Sequence, residues 1–181
     1  MKKKYELIAS DMEGLYRVKA LRAFSGVKAG DVGGYVAGEH NLSHDGDCWV
    51  YDDAWVSGNA AISGNARVYG NARVYYNARV SGNACVSGNA FVYDNANISN
   101  TSDCFVVGPA LSSGRYTTVH KTEEGYQINC GCYTTDSIKE FKKRVEGVHS
   151  GDDLESYLVI VASLNAWVKS KLKKEAKNAN S

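Results

Sequence analysis

The sequence predicts a parallel β-helix, and three observations predict it. An aliphatic residue returns every six positions from Val50 to Ile98 without a miss (Val50, Val56, Ile62, Val68, Val74, Val80, Val86, Val92, Ile98). Alanine keeps a six-residue phase of its own (Ala54, Ala60, Ala66, Ala72, Ala78, Ala84, Ala90, Ala96). Gly-Asn pairs recur between them, at Gly58-Asn59, Gly64-Asn65, Gly70-Asn71, Gly82-Asn83 and Gly88-Asn89. A period of six fits neither a helix of about 3.6 residues per turn nor a free-standing alternating strand. It fits a solenoid in which each hexad forms one side of a coil.

Three hexads close one triangular coil, so residues 18 apart stack at a strand spacing of roughly 4.8 Å. In a side such as Ala72-Arg73-Val74-Tyr75, Ala72 and Val74 point into the bore and Arg73 and Tyr75 point out. The bore is narrow, which is why alanine fills it. Gly and Asn tolerate the positive φ that a sharp corner needs. Walking the phase back from Ala54 through Cys48 and Leu42 to Val36 starts an irregular first coil near Val36. The β-helix is expected over 36–106, about four coils. Residues 1–35 read as a lead-in that caps the exposed backbone at one end. Tyr5–Ile8 and Leu15–Val18 suit short strands there, and Gly26, Gly30, Gly33 and Gly34 suit turns.

Residues 107–174 follow another pattern, that of a small α+β (ββαα) domain. Arg115–Lys121 and Tyr126–Cys130 flank Thr122-Glu-Glu-Gly125 as a hairpin. Ser137 and Glu140 form a capping box for a helix with Ile138, Phe141, Val145 and Val148 on one face. A second helix starts near Asp152 or Asp153 with the stripe Leu154, Tyr157, Leu158, Val161, Leu164, Val168. Residues 175–181 read as a disordered tail.

The composition excludes several classes. With 21 Lys+Arg against 20 Asp+Glu the net charge is +1, so nucleic acid is not favoured as a partner. The lysines at 2–4 and 169–177 read as solvated termini. No apolar run suits a membrane span, and Met1–Ser10 lacks the core of a signal peptide. Five cysteines, odd in number and without a C-x-x-C pair, point to a reducing, cytoplasmic setting, and Cys130-Gly131-Cys132 alone is no metal site.

The V-x-G-N-A-x hexads resemble the hexapeptide-repeat, left-handed β-helix family over roughly the middle 40% of the chain. The resemblance implies left-handed coils and self-association as a dimer or trimer. It also implies, as one reading, an acyltransferase using acetyl-coenzyme A. The whole layout is similar to a class of phage and prophage proteins. The stretches that carry this are Gly30–Val36, Asn41–Ser43, Cys48–Tyr51 and Gly131–Tyr133. That likeness implies a phage-encoded protein in the host cytoplasm and a host protein as partner.

Catalytic residues are scarce. Acyltransferases of this family use a His base from a loop or coil edge, yet no His lies between Val50 and Ile98. His40 and His44 are the candidates for that role, with His44 in the aliphatic phase before Val50 and both near an irregular corner. A polar turn explains them as well. Cys132 with His120 is a conceivable thiol dyad, though no third group orients it and the cysteines also suit packing against helices. Ser112-Ser113-Gly114-Arg115 could form a small anion nest, or an ordinary loop. These residues could serve a nucleotide or small-ligand sequestering protein. No cofactor is required by the preferred reading.

The outward residues say more. Sorted by the stack of 18, one face carries Trp55, Ser57, Arg73, Tyr75, Phe91 and Tyr93. A second carries Trp49, Tyr51, Arg67, Tyr69, Cys85 and Ser87, continuing to Asp103 and Phe105. The third (Ala61, Ser63, Arg79, Ser81, Asn97, Ser99) is small and polar. Trp, Tyr, Phe and Arg are the residues of interface hot spots. The expectation is a non-enzymatic binding protein that engages a host protein, as an inhibitor of a defence component, through these two faces.

Overall fold

Each hexad becomes one two-residue strand and one turn in the computed structural model of the chain, which describes residues 3–111 and 113–178. The strands are β4 (Trp49–Val50), β5 (Trp55–Val56), β6 (Ala61–Ile62), β7 (Arg67–Val68), β8 (Arg73–Val74), β9 (Arg79–Val80), β10 (Cys85–Val86), β11 (Phe91–Val92) and β12 (Asn97–Ile98). They stack in parallel as three walls, β4-β7-β10, β5-β8-β11 and β6-β9-β12. Trp49 pairs with Arg67, Trp55 with Arg73 and Ala61 with Arg79, each a step of 18. The chain is therefore a β-solenoid of about four turns. Backbone N–H groups donate to the next coil at 2.8–3.1 Å, as in Arg67 N–H to Ala84 O at 2.9 Å. The aliphatic and alanine phases are wholly buried.

At the corners, Gly64 has φ +64°, and a Cβ there would lie 3.0 Å from the Gly82 nitrogen of the next coil. Glycine thus serves both the left-handed backbone and the close stacking. The neighbouring amides stack too: Asn59 Nδ2 donates to Asn77 Oδ1 at 3.3 Å and Asn65 Nδ2 to Asn83 Oδ1 at 3.2 Å.

The first coil departs from the predicted phase. β1 (Tyr5–Ala9), β2 (Tyr16–Ala20) and β3 (Val32–Val36) form an antiparallel meander that joins one wall, in the order β1-β2-β3-β5-β8-β11. Tyr35 pairs with Trp55, Val36 with Val56, and Leu42 bridges to Ile62, so the step here is 20. It returns to 18 at Trp49 and Arg67. Two extra residues therefore lie in the corner between Ser43 and Cys48. Val36 and Leu42 occupy the aliphatic phase, not the alanine phase, and His44 sits in the enlarged corner, not on a strand. Gly33 and Gly34 lie within β3 and make no turn. A Cβ on Gly34 would stand 2.4 Å from Ala54 O, so the absent side chain is what lets β3 lie on the second coil.

The lead-in meets the first coil around Trp49, which is only 1% exposed. Its indole is met edge-on by Phe24 (5.3 Å between centroids) and Tyr5 (6.2 Å). The Tyr5 hydroxyl donates to Leu42 O at 2.6 Å, and burial raises its pKa. Lys4 is wholly buried beside it.

The chain divides into two compact units: the part up to Cys104 with His120–Glu123, and Phe105–Val119 with everything from Glu124 on. The antiparallel bridge of Thr122 to Ala96 fits that division. The C-terminal sheet has four strands where two were predicted: β13 (Cys104–Val107), β14 (Thr117–Lys121), β15 (Tyr126–Cys130) and β16 (Tyr133–Thr135), in that order. Two helices follow, α1 (Ile138–Val148) and α2 (Gly151–Asn178). Ser137 caps α1 by accepting from Glu140 N–H at 3.2 Å. The Glu140 carboxylate accepts from Thr135 Oγ1 instead of closing the predicted box on Ser137. Phe141, Val145, Tyr157, Val161, Leu164 and Val168 enter the core with Val119 and Ile128, and Ile160 joins them. Val148 is exposed at the end of α1. Helix α2 extends through 175–178, where a tail was expected, and 179–181 lie outside the described residues. No helix among the described residues is long and apolar enough to cross a membrane.

Candidate functional site

The wall β3-β5-β8-β11 carries a continuous column of rings and guanidinium groups. Pairing places Tyr35, Trp55, Arg73 and Phe91 side by side on successive strands. Arg73 lies between two rings, its guanidinium carbon 5.3 Å from the Trp55 centroid and 5.1 Å from that of Phe91. At the start of the column Arg17 lies 4.0 Å over the Tyr35 ring. Each such contact on an exposed surface is worth about 0.5–1 kcal/mol.

A second row stands one step along the strands. Tyr75 stacks on Tyr93 at 4.9 Å and on Trp55 at 6.1 Å. Tyr76 touches both tyrosines (5.1 and 6.4 Å) and is 58% exposed. Tyr76 occupies a corner position that is glycine at 58, 64, 70, 82 and 88, and it keeps the corner's positive φ of 58°. A left-handed backbone costs an L-residue about 1–2 kcal/mol, and such local strain clusters at functional sites. The sequence reading missed Tyr76. The signal was present, since Tyr76-Asn77 breaks the run of Gly-Asn corners.

Burial, then the neighbouring Tyr93 and Tyr76, push the Tyr75 phenol up to about 12. It is a neutral hydrogen-bonding group at physiological pH. Arg73 is exposed, and no carboxylate pairs with it among the described residues. The column can therefore offer a flat aromatic surface, phenol donors and one fixed positive charge.

The other predicted residues are placed as follows. Trp49 is no surface residue; the lead-in packs over it, and this corrects the second aromatic face. What remains there is Tyr51, partly buried, with exposed Arg67 and Tyr69 and partly buried Cys85. Phe91 and Trp55 are partly buried, and Tyr93 is 7% exposed beneath its neighbours.

His40 and His44 are engaged by backbone. His40 Nε2 lies 2.8 Å from Gly58 O, and beside it Asn41 donates to Gly58 O and Ala60 O. These two residues fasten the first coil to the second. His44 stacks on Tyr5 at 4.2 Å, and its Nδ1 accepts the Lys4 N–H at 3.2 Å. Burial, despite nearby Glu39 and Asp45, lowers its pKa, so it stays neutral. The loop at Ser113–Arg115 turns inward: Gly114 N–H donates to Ala110 O, and Arg115 N–H donates to Ser113 Oγ, which lies 3.0 Å from the Tyr157 hydroxyl. An anion would find those amides already used; Ser112 lies outside the described residues. Cys132 is exposed, whereas His120 is wholly buried with its ring edge-on to Tyr93 at 6.5 Å. No group of His, Cys, Asp and Glu among the described residues could hold a metal ion.

Burial, against the opposing effects of the Lys121 carbonyl and then Asp94, pushes His120 down to about 4. Above an unfolded pKa of about 6.5 neither state binds the proton. Between about 6.5 and 4 the unfolded chain binds it and the folded chain does not, so stability falls as the pH falls, by up to about 1.4 kcal/mol per unit. Denaturant titrations from pH 7 to 4.5 should show this slope, and His120→Gln should flatten it.

Comparison with known families agrees with this architecture. Residues 60–76 and 66–82 match the model described as the YdcK Beta solenoid repeat. The chain carries a β-solenoid repeat. The two matches begin six residues apart, which is one hexad, and they include Arg67, Arg73, Tyr75 and Tyr76. No curated protein matches the chain.

Proposed function

We propose that the chain is a non-enzymatic binding protein that engages a host protein through the Trp55–Arg73–Phe91 column and the Tyr75–Tyr76–Tyr93 row beside it, in the manner of a phage-encoded inhibitor. The observation that carries this reading is Arg73, held between two rings with its charge unpaired. Large rigid rings give contact area at low entropic cost, and Arg supplies a directional fork to a carboxylate or carbonyl. A column with one central cation suits a protein surface better than a polyanion, which needs several phosphate contacts.

The test is capture from host lysate with wild type and with Arg73→Ala/Tyr75→Ala, followed by mass spectrometry. The double variant should lose at least about 30-fold in affinity for the captured protein, equivalent to about 2 kcal/mol, with cooperative unfolding retained. Undiminished capture overturns the assignment. So does a wild type whose column only joins copies of itself, seen as a mass that halves or falls to a third in the variant.

A further inference from the structure

Away from that face, the enlarged corner Ser43–Cys48 closes over a buried amine. Lys4 and Cys48 are both 0% exposed. Lys4 Nζ donates to Cys48 O at 2.9 Å, to Gly46 O at 3.3 Å and to Cys48 Sγ at 3.3 Å. The Phe24 ring lies over the same nitrogen at 5.2 Å. No carboxylate is among these partners, so the ion pair that ordinarily accompanies a buried lysine is replaced by two carbonyls, a ring and a thiol. The thiol also meets Ser43 O at 3.4 Å and Ile62 O at 3.6 Å, and burial keeps it protonated. Nitrogen and sulfur are thus fixed against each other, out of reach of bulk water and other thiols.

We propose that Lys4 and Cys48 form a modification site, an oxygen-bridged Nζ–O–Sγ cross-link made by dioxygen. One S–H and one N–H bond of the neutral amine break, and one S–O and one O–N bond form. One atom of dioxygen enters the bridge and the other leaves as water with the two hydrogens. The four electrons dioxygen takes come two from sulfur and two from nitrogen; starting from the ammonium, one further proton goes to solvent. Dioxygen is small and apolar, unlike the charged or bulky oxidants that a closed site of this kind keeps out. Burial then keeps the oxidised sulfur from the water and free thiols that would divert it along the ordinary oxidation series. The link would tie the residue before β1 to the corner of the first coil and close a loop of 44 residues, stabilising the lead-in much as a disulfide does.

The experiment compares full-length protein purified in air with protein kept anaerobic, by intact mass, tandem mass spectrometry and melting. The air-exposed sample should gain about 14 Da, yield a linked peptide pair containing Lys4 and Cys48, and melt several degrees higher. Dithiothreitol should reverse all three changes. Lys4→Arg keeps a cation for the carbonyls and Cys48→Ala a small apolar residue, and neither should gain the mass. Cys48 that remains fully alkylatable after unfolding overturns the proposal. So does oxygen added to Cys48 without a link, or a direct S–N bond, which loses mass.

Discussion

Trp49→Ala should remove about 3–5 kcal/mol of stability, the cost of emptying a large aromatic site in a closed core. The indole is 1% exposed, with Phe24 and Tyr5 against its ring and Gly33 beneath it, where a Cβ would lie 2.7 Å from the ring nitrogen. Those neighbours come from the lead-in, so the loss should uncouple 1–35 from the first coil. Trp55→Ala removes a residue of the same type, six positions on, from a partly buried place in the column. It should cost about 1–2 kcal/mol, from lost contacts to Arg73 and Tyr75. Urea unfolding of the two variants separates the two roles. Equal costs would mean that Trp49 is not the keystone of the lead-in.

Gly34→Ala should destabilise the joint between the lead-in and the solenoid. The new Cβ would meet Ala54 O at 2.4 Å, Val50 Cγ1 at 2.7 Å and Tyr51 O at 3.0 Å. Two of these are backbone atoms, at the end of the first coil and the start of the second, and cannot swing aside. Overpacking of this kind costs about 1–3 kcal/mol or more, and it should be accompanied by early loss of protection in β1–β3 by hydrogen exchange. Gly88→Ala is the control. It adds the same atom at φ +66° with nothing within 4 Å, so it should cost only the left-handed backbone penalty, about 1–2 kcal/mol, and leave β1–β3 protected.

The contrast between these pairs shows where the sequence was legible. From Val50 to Ile98 nothing interrupts the hexads, so a period read as spacing converts directly into register, and every pairing of β4 through β12 follows. Before Cys48 the period fails silently. The two residues added between Ser43 and Cys48 leave the hydrophobic pattern readable in either phase, because Leu42 and Val36 suit both. Trp49 looked outward for a related reason: alternation tells which side of the strand a residue takes, and not whether another segment covers that side. Only the antiparallel meander, with glycines where β3 touches the Trp49–Ala54 stretch, decides that. In the C-terminal unit β14 and β15 were plain from their hairpin, whereas β16, three residues long, was too short for alternation to register.

The candidate site was half legible. Trp55, Arg73, Tyr75, Phe91 and Tyr93 follow from the step of 18. Tyr35 was hidden by the step of 20, and Tyr76 by its corner position, where side chains are rarely expected. His40 and His44 carried the right chemistry for a base, but the backbone carbonyl and amide that occupy them come from segments distant in sequence.

In the proposed function one wall of the solenoid does the binding. Hydrogen-exchange mass spectrometry of the chain with its captured partner tests this most directly, since each coil side gives separable peptides. Protection should rise at Trp55–Ser57, Arg73–Tyr76 and Phe91–Tyr93 and remain unchanged elsewhere on the solenoid. Protection at Ala61–Ser63, Arg79–Ser81 and Asn97–Ser99, with the aromatic column unchanged, would contradict it.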